Sequence, residues 1–189
     1  VEDDWEVAKF ASDLDAEAYD NARASDIFTR CLNYALMALG PRWQKDIFGT
    51  PEVETKLVQD TGEDERTPLM WAALALGSLI NHNLTRVEML AYLPMVQQML
   101  NRVVELDKAH PPADEQLAAL PHIALGMLYS AASAQFGGDA QKATAEFQEA
   151  LTLTHDRMLL ARALWGYRVG LMTNNKQLFH DQLVKVLET

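Results

Sequence analysis

From one end of this chain to the other, apolar residues recur at three- and four-residue intervals, and no segment shows the strict alternation of a half-buried strand. That periodicity restricts the fold to the all-α classes. A first helix is expected to cover the start, to about Ser12. The chain begins at Val1, and VEDDWEVAKF reads like a helix interior, so removal of an upstream segment is expected. A long helix follows from about Asp15 to Leu39, with Ala24, Phe28, Cys31, Leu32, Ala35 and Leu39 as its apolar stripe. Gly40-Pro41 should end it, because glycine suits a left-handed cap and proline cannot continue a helix.

Pro51 is placed at the start of a short helix ending near Gln59, and TGEDERTP at a polar loop. Thr67-Pro68 opens a helix, LMWAALALGSLINH, that is apolar on nearly all sides and therefore buried. Asn83-Leu84-Thr85 turns the chain into a helix over residues 86 to 109, interrupted or restarted near Pro94. Pro111-Pro112 should separate this half from the next. Helices over about 113 to 133, 139 to 153, 156 to 172 and 174 to 188 complete the chain.

Composition narrows the function. With 49% apolar residues in 189, the chain can bury one sizeable core and is expected to form a single helical domain over 1–189. Its 27 acidic and 16 basic side chains give a net charge of −11, which repels nucleic-acid phosphates and anionic lipid. No apolar run approaches the roughly 18 residues of a membrane span. The single cysteine, Cys31, excludes an intrachain disulfide and reads as a small core residue.

Helices in successive pairs raise the question of a repeat. The tetratricopeptide unit of about 34 residues carries Leu-Gly and an aromatic in its first helix and Ala-x3-Phe in its second. Leu125-Gly126 with Tyr129 fits the first half, and Ala143, Phe147 and Ala150 fit the second. Ala24, Phe28 and Cys31 repeat the second-helix pattern, and Leu76-Gly77 with Ile80 echoes the first. Small residues let two helices approach while the large one fills the space beside them. The interval from Leu125 to Ala143 is too long for the standard unit, the excess being SAQFGGD. The expected architecture is a tetratricopeptide-like array of helical hairpins, a right-handed α-α superhelix, with an enlarged bend.

Gly137-Gly138-Asp139 also poses a chemical question. A phosphate loop needs Gly-x4-Gly-Lys-Ser/Thr after a buried strand. Here a helix precedes the glycines, and Asp139 would repel phosphate; it suits the N-cap of the next helix. No other catalytic or cofactor constellation is apparent. The histidines, His82, His110, His122, His155 and His180, form no HExxH and no i, i+4 pair, so no metal is expected. Asp13, Asp15 and Glu17 lack the glycine and terminal glutamate of a calcium loop. Ser78, Ser130 and Ser133 have no adjacent base and no nucleophile elbow. His122 and Tyr129 are placed on one helix where they could line a groove. Met70, Met89, Met95, Met99, Met127, Met158 and Met172 suit core packing or an apolar groove. Trp71 and Trp165 read as core anchors, and Trp43, beside Arg42 and past a helix end, as an exposed contact residue.

The continuous stretch from ALPHIALGMLYS through SAQFGGDAQKATAEFQEAL to NKQLFHDQLVKVL resembles the T-component (TatT) family of tripartite ATP-independent periplasmic, or TRAP, transporters. The residues that carry the likeness are Gly126, Gly137-Gly138-Asp139, Phe147 with Ala150, Arg168, and Gln177-Leu178-Phe179 with Leu183. ALMALGPRW, PLMWAALALGSLI around Trp71, and LPMVQQMLNRVVELD extend it over about residues 18 to 188. The resemblance implies a periplasmic protein, often a lipoprotein, built as a tetratricopeptide-like bundle that can form trimers. It implies work beside the solute-binding P-component of the transporter and carries over no catalytic residue. The lipobox cysteine of such lipoproteins is not in this sequence, in keeping with a removed leader. The function expected is therefore non-enzymatic: binding of the P-component, with a hydrophobic small ligand as a further partner, through apolar complementarity and an acidic exterior that favours a basic partner face. The alternatives are a self-assembling scaffold, a peptide-binding repeat protein without a transport role, and, least favoured, a hydrolase built around His122.

Overall fold

A computed structural model describes residues 14–84, 86–131 and 138–188. Every element among them is helical. The helix expected before Ser12 and Gly137 of the bend lie outside the described residues, as do Asp13, Thr85, Ser133 and Thr189. The chain falls into two compact units, Val1–Arg102 and Val103–Thr189. Their boundary lies inside the helix Leu93–Ala109 and not at Pro111-Pro112, which follows the end of that helix.

In the first unit, helix α1 (Leu14–Leu39) buries Ala24, Leu32, Ala35, Leu36 and Leu39. Cys31, expected in the core, is only partly buried, and that burial raises its thiol pKa. Gly40 ends the helix with φ +92°, and its N–H donates to the Leu36 carbonyl. Pro41 then occupies the first position of a short helix α2 (Pro41–Asp46) that the sequence reading did not anticipate. Helix α3 (Pro51–Gln59) has the expected bounds.

The TGEDERTP stretch is more ordered than a polar loop. Glu63–Glu65 form a 3-10 turn, and α4 (Arg66–Asn81) starts two residues ahead of Pro68. Two arginines fasten it from outside. Arg42 pairs with Glu65 at 2.6 Å and donates to the Asp60 carbonyl, while Arg102 donates to the Thr61 carbonyl at 2.9 Å. Helix α4 packs most extensively on α1, and its Leu69, Met70, Ala72, Ala73 and Leu76 are buried. A short helix α5 (Val87–Leu90) gives way to α6 (Leu93–Ala109), so the chain does restart beside Pro94.

In the second unit, α7 (Glu115–Ser130) and α8 (Ala140–Leu153) make the most extensive pairing. Asp114 caps α7 by accepting from Gln116 N at 2.8 Å. The expected helix over 156 to 172 begins later and is not uniform. It consists of α9 (Leu159–Leu164), a π turn (Trp165–Val169) and α10 (Gly170–Met172). His155 and Asp156, both at positive φ, bend the chain into it. The last helix, α11 (Lys176–Leu187), is capped by Asn175, whose Oδ1 accepts from Leu178 N at 3.0 Å. Ala119, Ile123, Ala143, Phe147, Ala150, Leu151, Ala161 and Val169 form the core of this unit.

Candidate interaction site

The residues singled out in the GGD region converge on the α7–α8 seam. Asp139 N donates to the Tyr129 carbonyl at 2.8 Å, closing the bend. Its carboxylate accepts from Gln141 N at 3.1 Å and Lys142 N at 3.0 Å, the N-cap expected. Lys142 also reaches back, placing Nζ 5.5 Å from the centre of the Tyr129 ring. Two turns earlier on α7, His122 Nδ1 donates to Glu146 Oε2 at 2.7 Å. Tyr129 meets Lys142 near the start of α8 and His122 meets Glu146, four residues further along it, so the two helices run antiparallel.

Close approach is set by Gly126. A Cβ there would stand 2.9 Å from the Phe147 ring, so the bare glycine is what admits the aromatic. Ser130 Oγ donates to the Gly126 carbonyl at 2.7 Å, satisfying its hydroxyl within the same helix. Phe147 and Ala150 are fully buried, as the spacing predicts for residues that knit two helices.

The Asp139 carboxyl is held below its ordinary pKa, first by the hydrogen bond from Lys142 N, then by the Lys142 charge and Gln141 N. A carboxylate whose folded pKa is depressed stabilises the fold above its unfolded pKa, and that contribution fades as pH falls through the folded value. Asp139→Ala should therefore lower the melting temperature at pH 7, with the gap from the parent narrowing below about pH 4. Asp139→Asn, which can still cap, should lose much less. Melting curves collected from pH 7 downward check both.

The tryptophans exchange the roles expected of them. Trp43 is fully buried, not an exposed contact residue, because α2 turns it inward immediately after Gly40. Trp71 is 42% exposed, not a core anchor, although it sits on the most apolar helix of the first unit. Trp165 is partly buried and packs against the core of the second unit. Of the methionines, Met70, Met95 and Met99 are core residues, and Met127 and Met158 pack beside a core.

Arg168 lies in the π turn and Phe179 on α11. Two glycines not singled out from the sequence bring these elements together. A Cβ on Gly166 would lie 2.8 Å from Gln182 Cβ, and one on Gly170 would lie 3.1 Å from Phe179 Cβ. Their four-residue spacing on one helix face, Gly-x3-Gly, was the available signal. Buried Arg162 reinforces this seam by donating to Gln182 Oε1 at 2.9 Å and Asp156 Oδ1 at 2.7 Å.

Two depressions stand apart from His122. One, of about 320 Å³, is lined by Asp114, Glu115, Gln116, Thr154, Arg157 and Met158, with Arg157 paired to Glu115. The other, of about 600 Å³, lies open along α1 beside Arg23, Asp26, Ile27 and Arg30. Among the described residues, no three His, Cys, Asp or Glu side chains are grouped to hold a metal, and no helix is long and apolar enough to cross a membrane.

The described residues thus define an all-α protein whose distinctive positions are helix-to-helix seams: Gly126 on Phe147, Gly166 on Gln182, Gly170 on Phe179. The family model of the TRAP transporter T-component, TAtT, matches residues 1–189, the whole chain, and the protein belongs to that family. It is therefore related to an accessory transport component. No curated protein sequence matches it.

Proposed function

We propose that this protein is a non-enzymatic periplasmic accessory component that binds the solute-binding P-component of a TRAP transporter, with a hydrophobic small ligand as a further partner. The whole-chain family match carries this reading. It also supports treating residues 1–189 as one domain, with the α7–α8 hairpin as one unit of a tetratricopeptide-like, right-handed superhelix. The protein is lipid-anchored and assembles as a homo-oligomer, a trimer by family resemblance. His122 and Tyr129, both on the α7–α8 seam, shape the bend region for a contact. Affinity purification of the tagged protein from periplasmic extract should recover a TRAP solute-binding protein. Repeated recovery of none would count against the reading.

A self-assembling scaffold without a transport role is favoured by one observation, the exposed Tyr19, Tyr34 and Met37 on a single face of α1. Light scattering at micromolar concentration separates it: a strict monomer removes the scaffold and leaves partner binding intact.

A further inference from the structure

The helical stretch from Leu159 to Met172 has an inner face and an outer face of different character. Inward, Ala161 and Val169 enter the core while Gly166 and Gly170 lie against α11, so this side is committed. Outward, Leu160, Tyr167 and Leu171 are 53%, 46% and 61% exposed. Their spacing of seven and four residues places them on one face, about 17 Å long at the helical rise.

Arg168 stands at the edge of that face and is the anomaly of the second unit. Its Nε is buried with no hydrogen-bond partner. No carboxylate among the described residues pairs with its guanidinium, whose carbon lies 5.9 Å from the centre of the Tyr167 ring. Elsewhere the chain satisfies such groups: Arg162 holds Asp156 and Gln182, and Arg42 holds Glu65. A buried N–H donor without an acceptor is costly, and a native fold that keeps one calls for an explanation. Trp165 Nε1, one helical turn before Arg168, is a second buried donor with no partner. Both belong to a π turn, a local widening of the helix frequently found at functional sites.

We infer that the Leu160–Tyr167–Leu171 face is a docking surface for the partner protein, on which Arg168 receives a carboxylate carried in an apolar segment of that partner. The inference rests on the accessory-component reading above. Guanidinium groups pair with carboxylates in a planar, two-point geometry, and tyrosine and arginine flanked by apolar groups are the residues that anchor interfaces. On a chain of net charge −11, an unpaired arginine is a local reversal of sign. It would orient an acidic segment that the rest of the surface repels.

The full chain, labelled with ¹⁵N, carries its own reporters: the Arg168 Nε–H and the Trp165 indole N–H. Two probes are used, the purified solute-binding component of the transporter and the peptide acetyl-Leu-Glu-Leu-amide, with acetyl-Leu-Gln-Leu-amide as its neutral control. The component should shift both resonances, and Arg168→Gln and Leu171→Asp should each weaken its binding by about tenfold or more. Tyr34→Ala on α1 should not weaken it, and unchanged circular dichroism and melting temperature establish that each variant folds. Binding of a folded Arg168→Gln variant within about twofold of the parent would overturn the docking surface while leaving the partner reading in place. Absence of binding by the parent overturns the partner reading, and the peptides then decide the surface. A shift of Arg168 Nε–H with the Glu peptide and not the Gln peptide supports the carboxylate site; equal shifts or none overturn it. Shifts that follow the concentration of the labelled chain alone assign the face to a second copy and overturn the inference.

Discussion

Phe147→Ala is expected to destabilise the protein by about 3–5 kcal/mol, the usual loss for a buried phenylalanine that leaves a cavity. Phe147 is fully buried and stands over Gly126, with Ala143 and Ala150 one turn away on either side. None of these small neighbours carries a side chain long enough to refill the space. The opposite lesion tests the same seam. Gly126→Ala places a methyl 2.9 Å from the ring and should cost about 1–3 kcal/mol by overpacking. Because the two residues share one space, their effects should not add, and Phe147→Leu should recover part of the stability that Gly126→Ala loses. Urea unfolding at pH 7 measures all three. A loss under about 1 kcal/mol for Phe147→Ala would mean that the ring does not hold the hairpin together.

A second large effect is expected at Trp43. Trp43→Ala should cost about 3–5 kcal/mol, since the whole side chain is removed from a site closed to solvent. Trp43→Phe should cost less, because it keeps most of the volume and deletes an indole N–H that has no partner. Trp71→Ala, at a half-exposed site, should cost about 1 kcal/mol or less. Iodide quenching gives an independent reading, since Trp71→Phe should remove a quenchable emitter and Trp43→Phe a protected one. Equal losses at the two positions would contradict the placement of both side chains.

These two tryptophans show where sequence reasoning succeeds and where it stops. Proline and aspartate at helix starts are local signals, and they placed α3 at Pro51–Gln59 and α8 immediately after Asp139. The Ala143, Phe147, Ala150 spacing was likewise enough to identify a buried helix face. Trp43 was misplaced because α2 has six residues, too few for a period to register, and Gly40-Pro41 reads equally well as an exit. Trp71 was misplaced for the opposite reason. On a helix apolar nearly all round, periodicity gives no outward direction. Pairings between distant residues, such as Arg42 with Glu65 or His122 with Glu146, left no mark in a single sequence. The orphaned Arg168 Nε is legible only when its surroundings are known.

Family membership rests on the whole chain, and the α7–α8 seam explains why its GGD region is built as it is: Asp139 caps, Gly126 makes room, Phe147 fills. What the protein does with that scaffold turns on its partner. Sedimentation velocity of the purified protein mixed with the solute-binding component of the TRAP transporter tests this most directly. The account predicts a faster-sedimenting complex containing both chains, saturable at a fixed ratio and absent when either is run alone. Two independent boundaries at concentrations of about 100 μM, with no shared species, would contradict it.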